Sequence, residues 1–312
     1  MSIPLAASHR VRENVLRIAA YSTRSGLTSA LMIAIGLAVF WWLIVFLLIK
    51  PTNTIPVWAD QSSDFTQVPD HLSNPYSVPR FVYVPWTGIF LIPFGWFSLS
   101  LAVLLQLILY FVSLTLVVFR YGGNTRVVVM ALTSFIALDN AIELNIEWIT
   151  CLGLLVPAIF SGPFLLTKPQ VALGVWMSYS PPKLIMAGMV ALMVIALSFI
   201  AWPGWPDGMM QALERYTLTD EYIGQFNLAP FDLLPMPLSI LIGLAIAWRA
   251  IKRRDPVFSI LAWFFFVPYI PFYSLLFYLA ILGIRLPKLA WIIHISMWVI
   301  YGGVILLVLL FR

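Results

Sequence analysis

A chain of 312 residues that is 62% hydrophobic and 10% charged, with a mean hydropathy of +0.95, carries more apolar surface than a water-soluble core can bury; soluble domains hold roughly 45–50% apolar and 25% charged residues. The composition excludes a soluble enzyme and predicts an all-α polytopic membrane protein. The net charge of +5 comes from Lys and Arg set between apolar runs, which speaks for membrane orientation and against nucleic acid as a partner, and the one cysteine, Cys151, excludes an internal disulfide.

In chain order, residues 1–26 set Arg10, Arg12, Arg17 and Arg24 against Val11, Val15, Ile18 and Ala19 at helical spacing. They predict a cytoplasmic amphipathic N-terminal helix on anionic lipid, with no cleavable signal peptide. The rest, 27–312, reads as a single transmembrane domain with outer loops at 50–87 and 203–232. Residues 27–49 are long enough to span. In the loop that follows, Pro51, Pro56, Pro69, Pro75 and Pro79 forbid a continuous helix. Residues 88–119 predict a short entering piece and then a span over 98–119. A turn at Gly122-Gly123-Asn124 lies between Arg120 and Arg126, and 127–138 are short for a span.

Asp139, Glu143 and Glu147 recur every four residues, the spacing of one acidic helix face. Residues 148–167 are expected to cross back, leaving Lys168 to snorkel at the cytoplasmic end. Residues 169–179, stopped by Pro181-Pro182, predict a half-helix, and 183–202 a span. The second loop holds Asp207, Glu214, Asp220, Glu221 and Asp232 against Arg215 alone, with Met209, Met210, Leu213 and Tyr216 predicting a surface helix. Residues 233–248 span and end in Arg249, Lys252, Arg253 and Arg254. Pro268 and Pro271 break 257–284 into a bent span or a hairpin, whose turn should face a cleft and not lipid. Residues 289–311 form the last span, where His294 needs an interhelical hydrogen bond. With the N-terminus inside, most Lys and Arg fall on the cytoplasmic side of about nine crossings.

The loop from Lys50 to Trp86 gathers the candidate chemistry. Asp60, Asp64 and Asp70 stand among Trp58, Phe65, Tyr76, Phe81, Tyr83 and Trp86, with no Lys or Arg between Lys50 and Arg80. Aromatic faces hold sugar rings, and a carboxylate in such a wall can be a general base; the same residues also fit an ordinary interfacial belt and solvated loop acids. Asp64 and Asp60 are the candidate bases. Arg80, a fork suited to phosphate, and Tyr76, Tyr83, Trp86 and His71 are the candidate substrate-binding groups. No Walker loop, dinucleotide glycine pattern, HExxH or facing histidine pair occurs, which argues against a pump, a metalloprotease or a cytochrome. No metal or cofactor is expected.

Five segments carry a family resemblance: W-A-D-Q-S-S-D-F (58–65), N-P-Y (74–76), F-V-Y-V-P-W (81–86), L-T-K-P-Q (166–170) and V-P-Y-I-P-F-Y-S (267–274). Their order resembles bacterial GT-C membrane glycosyltransferases of the polyprenyl-phosphate-mannose-dependent branch, over 27–285. The resemblance implies a GT-C-like bundle in the cytoplasmic (inner) membrane and an inverting transfer from a polyprenyl-phosphate-linked sugar on the outer face. Asp64 matches the family's Asp-Phe position and becomes the implied base, with Asp60 in reserve. The chain is short for the family, and N-I-E-W (145–148) stands where relatives carry a Gly-Gln pair. Two alternatives stay open: a module that binds or transports lipid or polyprenyl phosphate without chemistry, and a non-catalytic membrane subunit with protein partners.

Overall fold

The computed structural model describes residues 26–53, 57–58, 65–217 and 227–310. The described residues are all-helical, and their one extended pairing is an isolated bridge between Asn227 and Pro271. The amphipathic helix expected at the N-terminus lies outside them.

From α1 (Gly26–Thr52) the chain enters the 65–98 segment, which holds 3-10 turns at Val68–His71 and Pro75–Ser77, the short α2 (Thr87–Leu91) and a third 3-10 turn, Ile92–Trp96. Then follow α3 (Leu99–Arg120), α4 (Thr125–Leu132), α5 (Phe135–Glu143), α6 (Glu147–Leu155) and α7 (Ser161–Leu165). The small α8 (Pro169–Ala172) leads through a 3-10 run, Leu173–Ser178, to α9 (Pro181–Ala201) and α10 (Trp205–Thr217). After α11 (Pro230–Leu233) come α12 (Met236–Arg253), α13 (Pro256–Phe264), α14 (Leu275–Arg285) and α15 (Pro287–Leu310). Among the described residues α1, α3 and α9 are long and apolar enough to cross a membrane, and a fourth span results if α4 and α5, bent by 60°, count as one. α1 and α9 leave Phe40, Leu47, Met189 and Ile200 exposed, as helices facing lipid do.

Basic residues gather at one end of the bundle. There the Arg285 Nε donates to Asp255 at 3.1 Å, its Nη1 donates to the Tyr121 carbonyl at 3.1 Å, and Thr125 donates to the Gly26 carbonyl at 3.2 Å. These bonds tie the starts of α1, α4 and α13 to the ends of α3 and α14. α3 stops in a Schellman turn: Gly122 takes a φ of 87°, and the Gly123 N–H reaches back to the Val118 carbonyl at 2.8 Å. Asn124 then caps α4 and Asp255 caps α13 through side-chain oxygens. The opposite end carries the 65–98 segment and α10, and is called the loop end below.

The run over 127–138, too short to span alone, covers most of α4 and the start of α5 in the bent pair. Ser134 starts α5 by accepting from the Ala137 N–H at 3.2 Å. The break would strand backbone carbonyls inside the bundle. Two indoles fill that need: Trp41 Nε1 donates to the Leu132 carbonyl at 2.8 Å and Trp298 Nε1 to the Thr133 carbonyl at 3.0 Å. One turn earlier, the Met130 backbone lies beside His294 of α15, whose buried Nδ1 has no hydrogen-bond partner.

Two expectations are corrected. Asp139, Glu143 and Glu147 do not share a helix face, because Leu144 adopts a φ of 39° and separates α5 from α6; Glu147 is fully buried. Nor does 148–167 cross. α6 stops at the extended Val156, where Pro157 cannot continue a helix, and the chain turns back through α7. The Arg120 guanidinium donates to the carbonyls of Leu155 and Val156 at the tip of this hairpin. Its mouth is closed by Glu147 and Lys168, about 13 Å away along α6 by helical rise.

Residues 169–179 make the passage that 148–167 does not. Trp263 donates to the Pro169 carbonyl at 2.9 Å and Tyr278 to the Gln170 carbonyl at 2.7 Å, while Tyr179, which feels the charge of Arg120, lies at the basic end. Gly174 allows this irregular run to lie on α13, since a Cβ there would meet the Trp263 Cβ at 2.2 Å.

The bend should depend on its indoles. Trp298→Phe puts a smaller phenyl ring in place of the indole and removes the donor, leaving the Thr133 carbonyl without it. A loss of about 1–3 kcal/mol is expected, read as a lower unfolding temperature in detergent. Trp41→Phe should behave alike at Leu132, and unchanged unfolding in both would show that these bonds do not hold the bend.

Candidate functional site

A cavity of about 400 Å³ opens at the loop end. Four parts of the chain meet around it. The 65–98 segment brings Arg80 and Tyr83, the mouth of the α6–α7 hairpin brings Asn145 and Lys168, the turn before α14 brings Tyr269 and Tyr273, and α10 lays Met209 and Leu213 across one side.

Each wall is set by local chemistry. Pro69, Pro75 and Pro79 cut the 65–98 segment into short turns. Tyr76, 6% exposed, packs under Gly208 of α10, donates its hydroxyl to the Tyr83 carbonyl at 2.9 Å, and offers its own carbonyl to Arg215 at 2.7 Å. Burial pushes its phenol up from the ordinary value, so the hydroxyl stays a donor. Trp86 is buried as well, giving its indole N–H to the Pro163 carbonyl at 2.9 Å and meeting Trp205 edge to face. The Pro268–Pro271 turn is held by Asn227, whose Nδ2 donates to the Pro268 carbonyl at 2.8 Å and whose Oδ1 accepts from the Ile270 N–H at 2.9 Å. This turn carries Tyr269 into the cavity wall.

The floor is a polar knot. Lys168 is 2% exposed and Glu147 0%. Lys168 Nζ donates to Glu147 Oε1 and, at 3.1 Å, to Asn145 Oδ1, and lies 4.6 Å from the centre of the Tyr273 ring. Ser274 Oγ donates to the same Glu147 oxygen at 2.6 Å. Asn145 Oδ1 also accepts from the Tyr83 hydroxyl at 3.0 Å, and its Nδ2 donates to the Tyr273 hydroxyl at 3.1 Å. Glu147 Oε2 has no hydrogen-bond partner, and nearby Tyr110 and Thr150 hydroxyls are likewise unpartnered. An ion pair in such a place stands only because its hydrogen bonds are met on several sides.

The candidate residues separate clearly. Arg80 and Tyr83 line the cavity. Tyr76 and Trp86 stand behind its wall as packing and hydrogen-bonding groups. His71 is exposed on a 3-10 turn, its Nδ1 3.0 Å from Ser77 Oγ. Asp60 and Asp64 lie outside the described residues; Trp58, just before them, is buried with its indole on the Ala141 carbonyl at 2.9 Å. Lys168 does not snorkel at the basic end; it belongs to the cavity floor. Sequence reasoning missed the convergence of Asn145, Glu147, Lys168 and Tyr273. The available signal was one acid and one lysine, each at the edge of an apolar run and each needing a partner.

Two cations, tyrosine hydroxyls and an amide around one space suit a tetrahedral oxyanion such as phosphate, and the Met209–Leu213 side suits an aliphatic chain. Among the described residues no group of three or more His, Cys, Asp or Glu side chains comes together to hold a metal ion. Compared with known proteins, the chain matches no family model, no curated protein and no solved structure.

Breaking the pair should cost far more than removing it. Lys168→Met leaves Glu147 buried without its partner and should destabilise by about 3–5 kcal/mol, whereas Lys168→Met combined with Glu147→Gln should regain most of that loss. Unfolding curves of both variants in detergent decide it; a double variant as unstable as the single one would contradict the pairing.

Proposed function

We propose that this chain is a multi-pass protein of the bacterial cytoplasmic membrane that takes a sugar from a polyprenyl-phosphate donor and passes it to an acceptor hydroxyl on the outer face. The observation that carries the reading is the cavity lined by Arg80 and Lys168 together with apolar side chains of α10. The donor phosphate sits between the two cations, the sugar lies on the tyrosines, and the polyprenyl chain leaves past Met209 and Leu213 toward lipid.

Asp64 is the base. It takes the proton of the acceptor hydroxyl as the oxygen attacks the anomeric carbon from the face opposite the phosphate. The new carbon–oxygen bond forms as the bond to the phosphate oxygen breaks, the configuration inverts, and the extra charge on the departing polyprenyl phosphate is met by Arg80 and Lys168. Asp60 is the reserve. About nine crossings with the N-terminus inside put the loop end outside. Moving one crossing from 148–167 to 169–179 leaves that parity unchanged.

A second reading, binding or transport of lipid phosphate without chemistry, is favoured by one observation. Among the described residues no carboxylate lines the cavity, and Glu147 stands behind Lys168.

Transfer measured on reconstituted protein separates the two. Asp64→Asn should lower the rate by about 10²–10⁴-fold with donor binding retained, while Arg80→Gln should weaken donor binding by roughly 10- to 150-fold, the worth of a charged hydrogen bond. Full transfer in both Asp64→Asn and Asp60→Asn would remove these two residues as the base, whereas donor binding with no transfer by the natural protein would leave only the binding reading.

The orientation is tested separately. A cysteine replacing Asp64 should react with an impermeant maleimide from outside and one replacing Arg253 should not. Reaction of both from the same side would overturn the arrangement.

A further inference from the structure

We infer that Glu147 is a positioning residue for anion binding: it holds the Lys168 ammonium charged and fixed in the cavity wall without touching the ligand itself. The inference rests on the proposed reading of the cavity as a phosphate site.

The geometry separates the two members of the pair. Lys168 lines the cavity and Glu147 does not. Whatever enters meets the ammonium, and the carboxylate acts only through it. Glu147 is held in turn, since the oxygen that accepts from Lys168 also accepts from Ser274 at 2.6 Å. Asn145 at 3.1 Å and the Tyr273 ring at 4.6 Å define two further sides of the ammonium. An ammonium this deeply buried keeps its proton only beside a counter-charge. A neutral amine would give the cavity one cation in place of two.

The titratable groups around the pair are Arg80 and Tyr83 from the 65–98 segment, Tyr110 from α3, Cys151 from α6, Tyr269 and Tyr273 from the turn, and Tyr278 from α14. All of them are common to the natural protein and its variants. A pH dependence that appears only when Glu147 is replaced therefore reports on Lys168.

The probe is a fluorescent polyprenyl-phosphate hexose, a diester whose single charge is constant across the range, bound to the purified full chain in nanodiscs at pH 6, 7.5 and 9. The natural protein should bind it almost equally at all three. Glu147→Gln should bind at pH 6 and weaken by roughly 10- to 150-fold toward pH 9, as one charged hydrogen-bond donor is lost. Glu147→Asp should restore the flat profile. Lys168→Met combined with Glu147→Gln should be weak and flat.

Ser274→Ala keeps both charges and should fold where Glu147→Gln does not; it should bind roughly 2- to 10-fold more weakly, the worth of one neutral hydrogen bond. A flat profile with natural affinity in Glu147→Gln overturns the positioning role and leaves the phosphate site standing. If Glu147→Gln does not fold, natural affinity in Ser274→Ala overturns it instead. Failure of the natural protein to bind the diester at any pH removes the phosphate site and the positioning role together.

Discussion

The bond between Lys168 and Glu147 is the contact on which the rest of the arrangement depends. It closes the mouth of the α6–α7 hairpin and fixes the floor of the cavity. Asn145 attaches to it from the same mouth, and Tyr273 and Ser274 attach from the turn before α14. Desolvating two charges is expensive, and their attraction offsets that cost only with good geometry and further hydrogen bonds. The network supplies both for one carboxylate oxygen and leaves the other unpartnered.

The aromatic residues divide into two kinds of work. Trp41, Trp58, Trp86 and Trp298 give indole N–H groups to backbone carbonyls that the helix ladder does not satisfy. They make bends and loops tolerable in apolar surroundings, where an unmatched carbonyl is costly. Tyr83, Tyr269 and Tyr273 instead face the cavity. A large indole with one donor suits the first task, and a smaller ring ending in a hydroxyl suits the second.

Much of the layout was legible from residue order. Hydropathy announced a helical membrane chain, prolines announced an irregular loop at 50–87, and Pro268 with Pro271 announced a turn at a cleft. Arg80 and Tyr83 were placed at the site on charge and aromatic character alone. The failure at 148–167 has a physical cause: apolar length measures how far a helix could reach, and says nothing of a chain that doubles back at Val156-Pro157. That error put Glu147 and Lys168 on opposite faces and hid their pairing. Tyr76 and Trp86 misled differently, because an aromatic residue in a loop looks the same whether it faces a ligand or plugs the wall behind. Asp139, Glu143 and Glu147 kept helical spacing, yet Leu144 in a left-handed conformation separates them, and no residue preference marks a leucine for that role.

The hairpin also has a history in time. Lys168 follows Glu147 by 21 residues, whereas Ser274 follows it by 127. At synthesis rates of about 5–20 residues per second, Lys168 emerges roughly 1–4 s after Glu147 and Ser274 roughly 6–25 s after it. The two charges can therefore neutralise each other while the later helices are still unmade, and the nascent hairpin never has to present a lone ion to lipid. The Tyr269–Ser274 turn then docks on a pair already formed, so the cavity is the last part of this region to be completed during biogenesis.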